Sequence, residues 1–142
     1  MKIAIVHNSD KTGVIANFGQ PCPENYAQKH IDLVEASLLE AGHDVVVLQA
    51  DKYLLQQLES FMPADPVSGA PTGMVFNMAY GIQGENRYTH VPAMLEMAGI
   101  PYTGSSPMGH SLAARQGDHQ DLDAACRSSD AGIQNDGRFS LE

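Results

Sequence analysis

The chain has 142 residues, 43% of them hydrophobic and 18% charged, enough for one compact domain with a single core. Its formal net charge of -9 excludes a phosphate backbone or an anionic membrane surface as the main partner, because both need a basic patch. Met1-Lys2 leads straight into Ile3-Ala4-Ile5-Val6, with no charged leader, long apolar segment or cleavage site, so the expectation is a soluble cytoplasmic protein.

Lys2 to His7 is a short run of mostly β-branched residues, the form of a central parallel strand buried on both faces. A polar, glycine-containing loop from Asn8 to Cys22 follows. Pro23 and Glu24 then open a helix whose inner face is Ala27, Ile31, Val34, Leu38 and Ala41. Gly42 ends that helix, and His43 to Leu48 reads as a second strand, so strand, helix and strand form a right-handed crossover unit. Asp51 is placed to cap a short helix through Phe61, and Pro63, Pro66, Gly69, Pro71 and Gly73 make the next stretch an irregular, mobile loop.

Met74 to Met78 is the third strand, and Tyr88 to Ala98 the next helix, with Val91, Leu95 and Ala98 inward and Pro92 tolerated only near the first turn. Gly99 stops it, Ile100-Pro101-Tyr102 forms a short fourth strand, and Ser106 or Pro107 begins one or two helical turns toward Ala113. From Arg115 to Glu142 the composition turns to Asp, Ser, Gln and Gly without a clear period and reads as poorly ordered. The fold expected is α/β: an open, three-layer, Rossmann-like domain over residues 1–114 with a mainly parallel sheet of about four strands, and a separate tail over 115–142.

Open α/β sheets place ligands at the carboxyl ends of their strands, and three segments fall there. Ala79 to Asn86 offers Gly81 and Gly84 for close backbone approach, then Glu85 near a helix start. This suits the docking of a small charged ligand, and it equally suits a plain turn with Glu85 capping the helix. Glu24 and Asn25, in the opening turn of the first helix, can hold an ammonium group together with Glu85 or can simply complement the helix dipole. Ile100 to Pro107 pairs a strand end with hydroxyls, which serves anion contact or a rigid corner. His7, His43, His90 and His110 are scattered over different elements, so no metal site is expected, and Cys22 and Cys126 lack zinc spacing and read as free thiols.

The stretch from Val75 to Ala113 reads Val-Phe-Asn-Met-Ala-Tyr-Gly-Ile-Gln-Gly-Glu-Asn-Arg-Tyr-Thr-His-Val-Pro-Ala-Met-Leu-Glu-Met-Ala-Gly-Ile-Pro-Tyr-Thr-Gly-Ser-Ser-Pro-Met-Gly-His-Ser-Leu-Ala. It resembles the D-alanine–D-alanine ligase family. That family carries a strand, a His-Gly-x-x-Gly-Glu loop, a helix ending Leu-Glu-x-x-Gly-Ile-Pro-Tyr-Thr-Gly, and a helix leading into Leu-Asp-Lys. The likeness extends more loosely back to Met1. Tyr80 stands where the dipeptide ligases carry histidine, Asn86 where they carry aspartate, and Asn8-Ser9-Asp10 where they have a glycine-rich turn. These departures point to the broader group of ligase-like ATP-grasp proteins, which join a carboxylate to an amine through an acyl phosphate made with ATP and magnesium.

The resemblance implies that Glu85 organises the loop at the substrate pocket, Tyr80 lines it, and Glu24 stands nearest to the acid that holds a substrate amino group. It implies an amino acid or carboxylate as the small-molecule substrate. No cofactor is expected for this protein, since ATP and magnesium belong to the central domain of the full-length family, which starts at Leu-Asp-Lys. Here the sequence reads Ala114-Arg115-Gln116 instead. Back-translated with suitable codons and read one base later, Ala114 to Ala131 can give Leu-Asp-Lys followed by a ligase-like continuation. The expectation is therefore a pre-ATP-grasp domain followed by a frameshifted tail and inactive alone, and sequencing the template tests it. The reading from another class is a non-catalytic binding or dimerisation module. Apolar surface exposed where further domains would sit favours a homodimer under either. A dinucleotide-binding domain lacks support, because no Gly-x-Gly-x-x-Gly follows the first strand.

Overall fold

The computed structural model describes residues 1–8 and 24–113. In sequence order they form β1 (Lys2–His7), α1 (Gln28–Glu40), β2 (Asp44–Gln49), α2 (Leu54–Phe61), β3 (Gly73–Met78) and α3 (Arg87–Met97), with a short helix, α4, over 107–113. The β-branched run at the N-terminus becomes the middle strand. The order is β2-β1-β3, and both pairings are parallel.

A parallel sheet must bury both faces, and alternation along the strands divides the core accordingly. Ala4, Val6 and Val75 face one way and pack with Leu54 and Leu58 of α2 and with Val91 and Leu95 of α3. Ile5 and Met78 face the other way and pack with Ile31 of α1, joined by Val34, Leu38 and Phe76. Helices thus cover both faces. Leu54, Leu58, Leu95 and Ile5 are fully buried, each such side chain contributing about 1.5–3 kcal/mol relative to exposure.

Several element boundaries differ from the sequence expectation. α1 begins at Gln28, with Ala27 extended before it, whereas the proline and acid at 23 and 24 suggested an earlier start. Glu24 is engaged by Arg87 and Tyr88 of α3, and Tyr26 by Tyr80 just past β3; those tertiary contacts hold the segment out of the helix. Ala27 and Ala41 flank the helix and are exposed, leaving Ile31, Val34 and Leu38 as its inner face. Ala98 likewise lies past the end of α3 and is exposed.

Pro92 sits buried in the second turn of α3. It has no N–H to offer the carbonyl four residues back, and burial of its ring against the core offsets that loss. The fourth strand shrinks to a single parallel bridge between Val75 and Tyr102, with Val75 N donating to Pro101 O (2.8 Å) and Thr103 N to Val75 O (3.0 Å). Pro101 lacks a donor and Gly104 turns away at φ 110°, so the pairing cannot extend.

Asp51 does not cap α2 directly; its Oδ1 accepts from Tyr53 N at 2.8 Å and shapes the turn before the helix. The breaker-rich stretch between α2 and β3 is irregular, yet it is folded around Asp65. One carboxylate oxygen accepts from Val67 N (3.1 Å), Ser68 N (2.7 Å) and Ser68 Oγ (2.8 Å). These bonds hold the Asp65 carboxyl below its ordinary value, the backbone bond to Ser68 contributing most.

Two units make up the protein, Met1–Ser111 and Leu112–Glu142. Residues 115–142, expected to form a separate tail, lie outside the described residues, as do Cys22, Cys126 and most of the loop after β1. Among the described residues no helix is long and apolar enough to cross a membrane.

Candidate functional site

All three strands end at the same side of the sheet, at His7, Gln49 and Met78. Asn8, the first residue past β1, is buried there. Its Nδ2 donates to Ala50 O (3.2 Å) after β2, and its Oδ1 accepts from Gly81 N (2.9 Å) after β3. One amide thereby ties together the segments leaving all three strands.

The loop after β3 then wraps tightly onto the start of α3. Gly81 has φ +83°, and a Cβ there would lie 2.1 Å from Arg87 O, so only glycine fits. Asn77 Oδ1 steadies the strand end by accepting from Ala79 N at 3.0 Å.

This folding gathers a charged and aromatic cluster. Glu24 Oε2 accepts from Arg87 Nη2 at 3.2 Å and also from the Tyr88 hydroxyl. Arg87 Nη2 lies 3.0 Å from Tyr88 OH, and the guanidinium rests over the Tyr88 ring at 4.6 Å. Tyr80 stacks on Tyr26 with centroids 5.3 Å apart and meets Tyr88 edge-on at 6.0 Å. Tyr88 also stacks with His110 of α4 at 6.4 Å.

The electrostatics follow from these contacts. A hydrogen bond with Tyr26, reinforced by burial and by the Tyr26, Glu24 and Tyr88 charges, pushes the Tyr80 phenol up to about 12. Tyr88 is raised as well, chiefly by donating to the Glu24 carboxylate, although Arg87 opposes the shift. At the end of β1, burial holds His7 below its ordinary value. Its Nε2 lies 3.1 Å from Gln49 Nε2, and since an amide nitrogen only donates, this contact needs a neutral imidazole.

Of the three residues singled out by sequence, Glu24 and Tyr80 fall in this cluster. Glu85 does not: it is exposed and, among the described residues, holds no hydrogen bond or ion pair. Nor does it cap α3, whose N-cap position is Asn86 and which has no side-chain cap hydrogen bond. In the segment 100–107, Thr103 Oγ1 accepts from Asn77 N (3.1 Å) and Ser106 Oγ from Gly109 N (3.2 Å), both serving the corner itself. Asn8, Tyr26, Arg87, Tyr88 and His110 were not singled out. The sequence held a signal for two of them, since Arg87-Tyr88 directly follows the Gly-Glu-Asn of the loop.

A cavity of about 490 Å³ opens at the same end on the α3 side, bounded by Ala50, Asp51, Gly81, His90, Val91 and Met94. Among the described residues no group of three or more His, Cys, Asp or Glu side chains could hold a metal ion.

Fold and cluster together define an α/β protein with a polar, aromatic-lined site at the carboxyl edge of a parallel sheet. Two relatives extend that description. An uncharacterized protein of Sinorhizobium fredii is 59% identical over 116 residues, covering 79% of this chain and 34% of that protein. A D-alanine–D-alanine ligase of Moorella thermoacetica is 30% identical over 79 residues, 56% of this chain and 22% of the ligase. The protein thus spans about a third of the first relative and about a fifth of the second. No family model matches it. No solved structure matches it either.

Proposed function

We propose that residues 1–113 are the substrate-side, Rossmann-like pre-ATP-grasp domain of a ligase-like enzyme that joins a carboxylate to an amine with ATP. The observation that carries this reading is the 30% identity over 79 residues to a D-alanine–D-alanine ligase. Convergence of Glu24, Tyr80, Arg87 and Tyr88 where open α/β sheets receive ligands supports it. On this reading the site takes a small amino acid or carboxylate, with Glu24 at its ammonium end and Tyr80 along its wall. Glu85 shapes the loop from outside the cluster. On the same reading ATP and magnesium are held by the remaining domains of such an enzyme, and the protein alone binds substrate without turning it over. A cytoplasmic homodimer is part of the same proposal.

Calorimetric titration with ATP and magnesium, followed by D-alanine, tests it. The expected result is no saturable heat with nucleotide and a D-alanine response that shifts the NMR signals of Tyr80 and Tyr88. Stoichiometric ATP binding would overturn the proposal, because it would put the nucleotide site inside these 142 residues.

A further inference from the structure

We propose that Arg87 is the carboxylate anchor of this site, and that the Glu24–Arg87 pair selects a zwitterion, a free α-amino acid with both its ammonium and its carboxylate. The inference rests on the proposed amino-acid site and adds to it a residue and a discrimination.

Glu24 and Arg87 present opposite charges side by side, 3.2 Å apart, with side chains 47% and 20% exposed. The pair is open at its Glu24 end only, so the acid can swing toward a ligand at small cost while Arg87, largely covered and with its Nε buried, stays in place. A lone amine would meet Arg87 as a like charge, and a lone carboxylate would meet Glu24 the same way. A zwitterion meets neither penalty. Its ammonium takes Glu24, its carboxylate takes the guanidinium fork, and the four charges alternate around a closed ring.

The supporting contacts hold Arg87 in place for that role. Its guanidinium rests on the Tyr88 ring (4.6 Å), with Nη1 3.5 Å from Gly84 O, and its own backbone carbonyl is the atom that Gly81 closes upon. Glu24 is steadied by the Tyr88 hydroxyl, so loss of the arginine leaves the acid positioned. Tyr80 and Tyr26, stacked beside the pair, offer aromatic surface to the ligand's side chain.

The test compares three probes, D-alanine, D-alaninamide and propionate, by calorimetry and NMR on the intact protein and on R87Q, R87K and E24Q. The unaltered protein binds D-alanine at least about tenfold more tightly than either single-charge probe, about 1.4 kcal/mol. R87Q loses that advantage over the amide, weakening D-alanine while the amide, freed of the like charge, binds at least as well as before, whereas R87K, with charge but no fork, recovers part of the advantage. E24Q reduces D-alanine and D-alaninamide binding alike. A purely structural arginine would instead weaken every probe together in R87Q, and strand methyl signals of Ile5 and Val75 verify that the fold persists. Equal binding of D-alanine and its amide, or a uniform loss in R87Q, overturns the role of Arg87 while leaving the amino-acid site standing. Absence of any response to D-alanine overturns both.

Discussion

Tyr80 lies flat against Tyr26, ring centroids 5.3 Å apart and planes inclined by 15°, so the residue leaving β3 and the segment entering α1 meet face to face. The hydrogen bond between the same two residues is the main reason the Tyr80 phenol is held up to about 12 from an ordinary 10.0. A phenol whose folded pKa is raised contributes stability that is complete below pH 10.0 and is lost as pH climbs toward 12. An absorbance titration of the five tyrosines should therefore be spread upward, with Tyr88 and Tyr102 also raised and the Tyr80 step the late one at about 12. Tyr26→Phe should move that step toward the others. A single transition for all of them in the unaltered protein would contradict the geometry.

His7 carries the opposite sign. Burial lowers its pKa from 6.5, so the unfolded state takes up the proton first, and the stability present above pH 6.5 is lost as pH falls through the folded value. Thermal midpoints measured downward from neutrality should decline across that window. His7→Gln should flatten the decline, and an unaltered slope would assign it to other groups.

Gly81 and Gly84 separate two costs. Both have positive φ, but a Cβ at Gly84 meets nothing nearer than 3.9 Å, while one at Gly81 collides with Arg87 O. Gly84→Ala should cost backbone strain alone, about 1–3 kcal/mol. Gly81→Ala should cost more in denaturant unfolding and disturb the Arg87 and Tyr88 signals. Equal losses would mean that the loop relaxes away from α3.

Removing the Asn8 amide would orphan the Gly81 N–H and the Ala50 carbonyl at once. Asn8→Ala should lower stability by about 1–3 kcal/mol and also pull the late tyrosine step down, since Tyr80 adjoins the released loop. A loss of stability with the Tyr80 step unmoved would confine Asn8 to a scaffolding role.

The strands were legible in the sequence because their apolar runs at 2–7 and 44–49 are short, β-branched and bounded by polar or glycine residues. The second strand, read as His43 to Leu48, lies one residue later at Asp44–Gln49, and the third differed by including Gly73. The start of α1 was not legible, because what displaces it is Tyr80 and Arg87, more than fifty residues away in the sequence. The fourth strand was overread for a local reason, the missing donor of Pro101. At the site, Glu24 and Tyr80 stood out through spacing and motif. Arg87 did not, because a single arginine after a loop looks like any solvated charge until its partner is known. Glu85 drew attention as the acid of a glycine motif, yet the turn that Gly81 and Gly84 make leaves it facing solvent.

The middle position of β1 also bears on how the molecule assembles. It is made before either of its neighbours, and its backbone edges find no partner until β2 has followed and then β3. Every ladder in the sheet joins segments distant in sequence, which makes for slow closure. Meanwhile Ile3, Ala4, Ile5 and Val6 form an uncovered strand able to pair with the same strand of another molecule. Yield on refolding should therefore be set by concentration, with losses from encounters between half-made molecules.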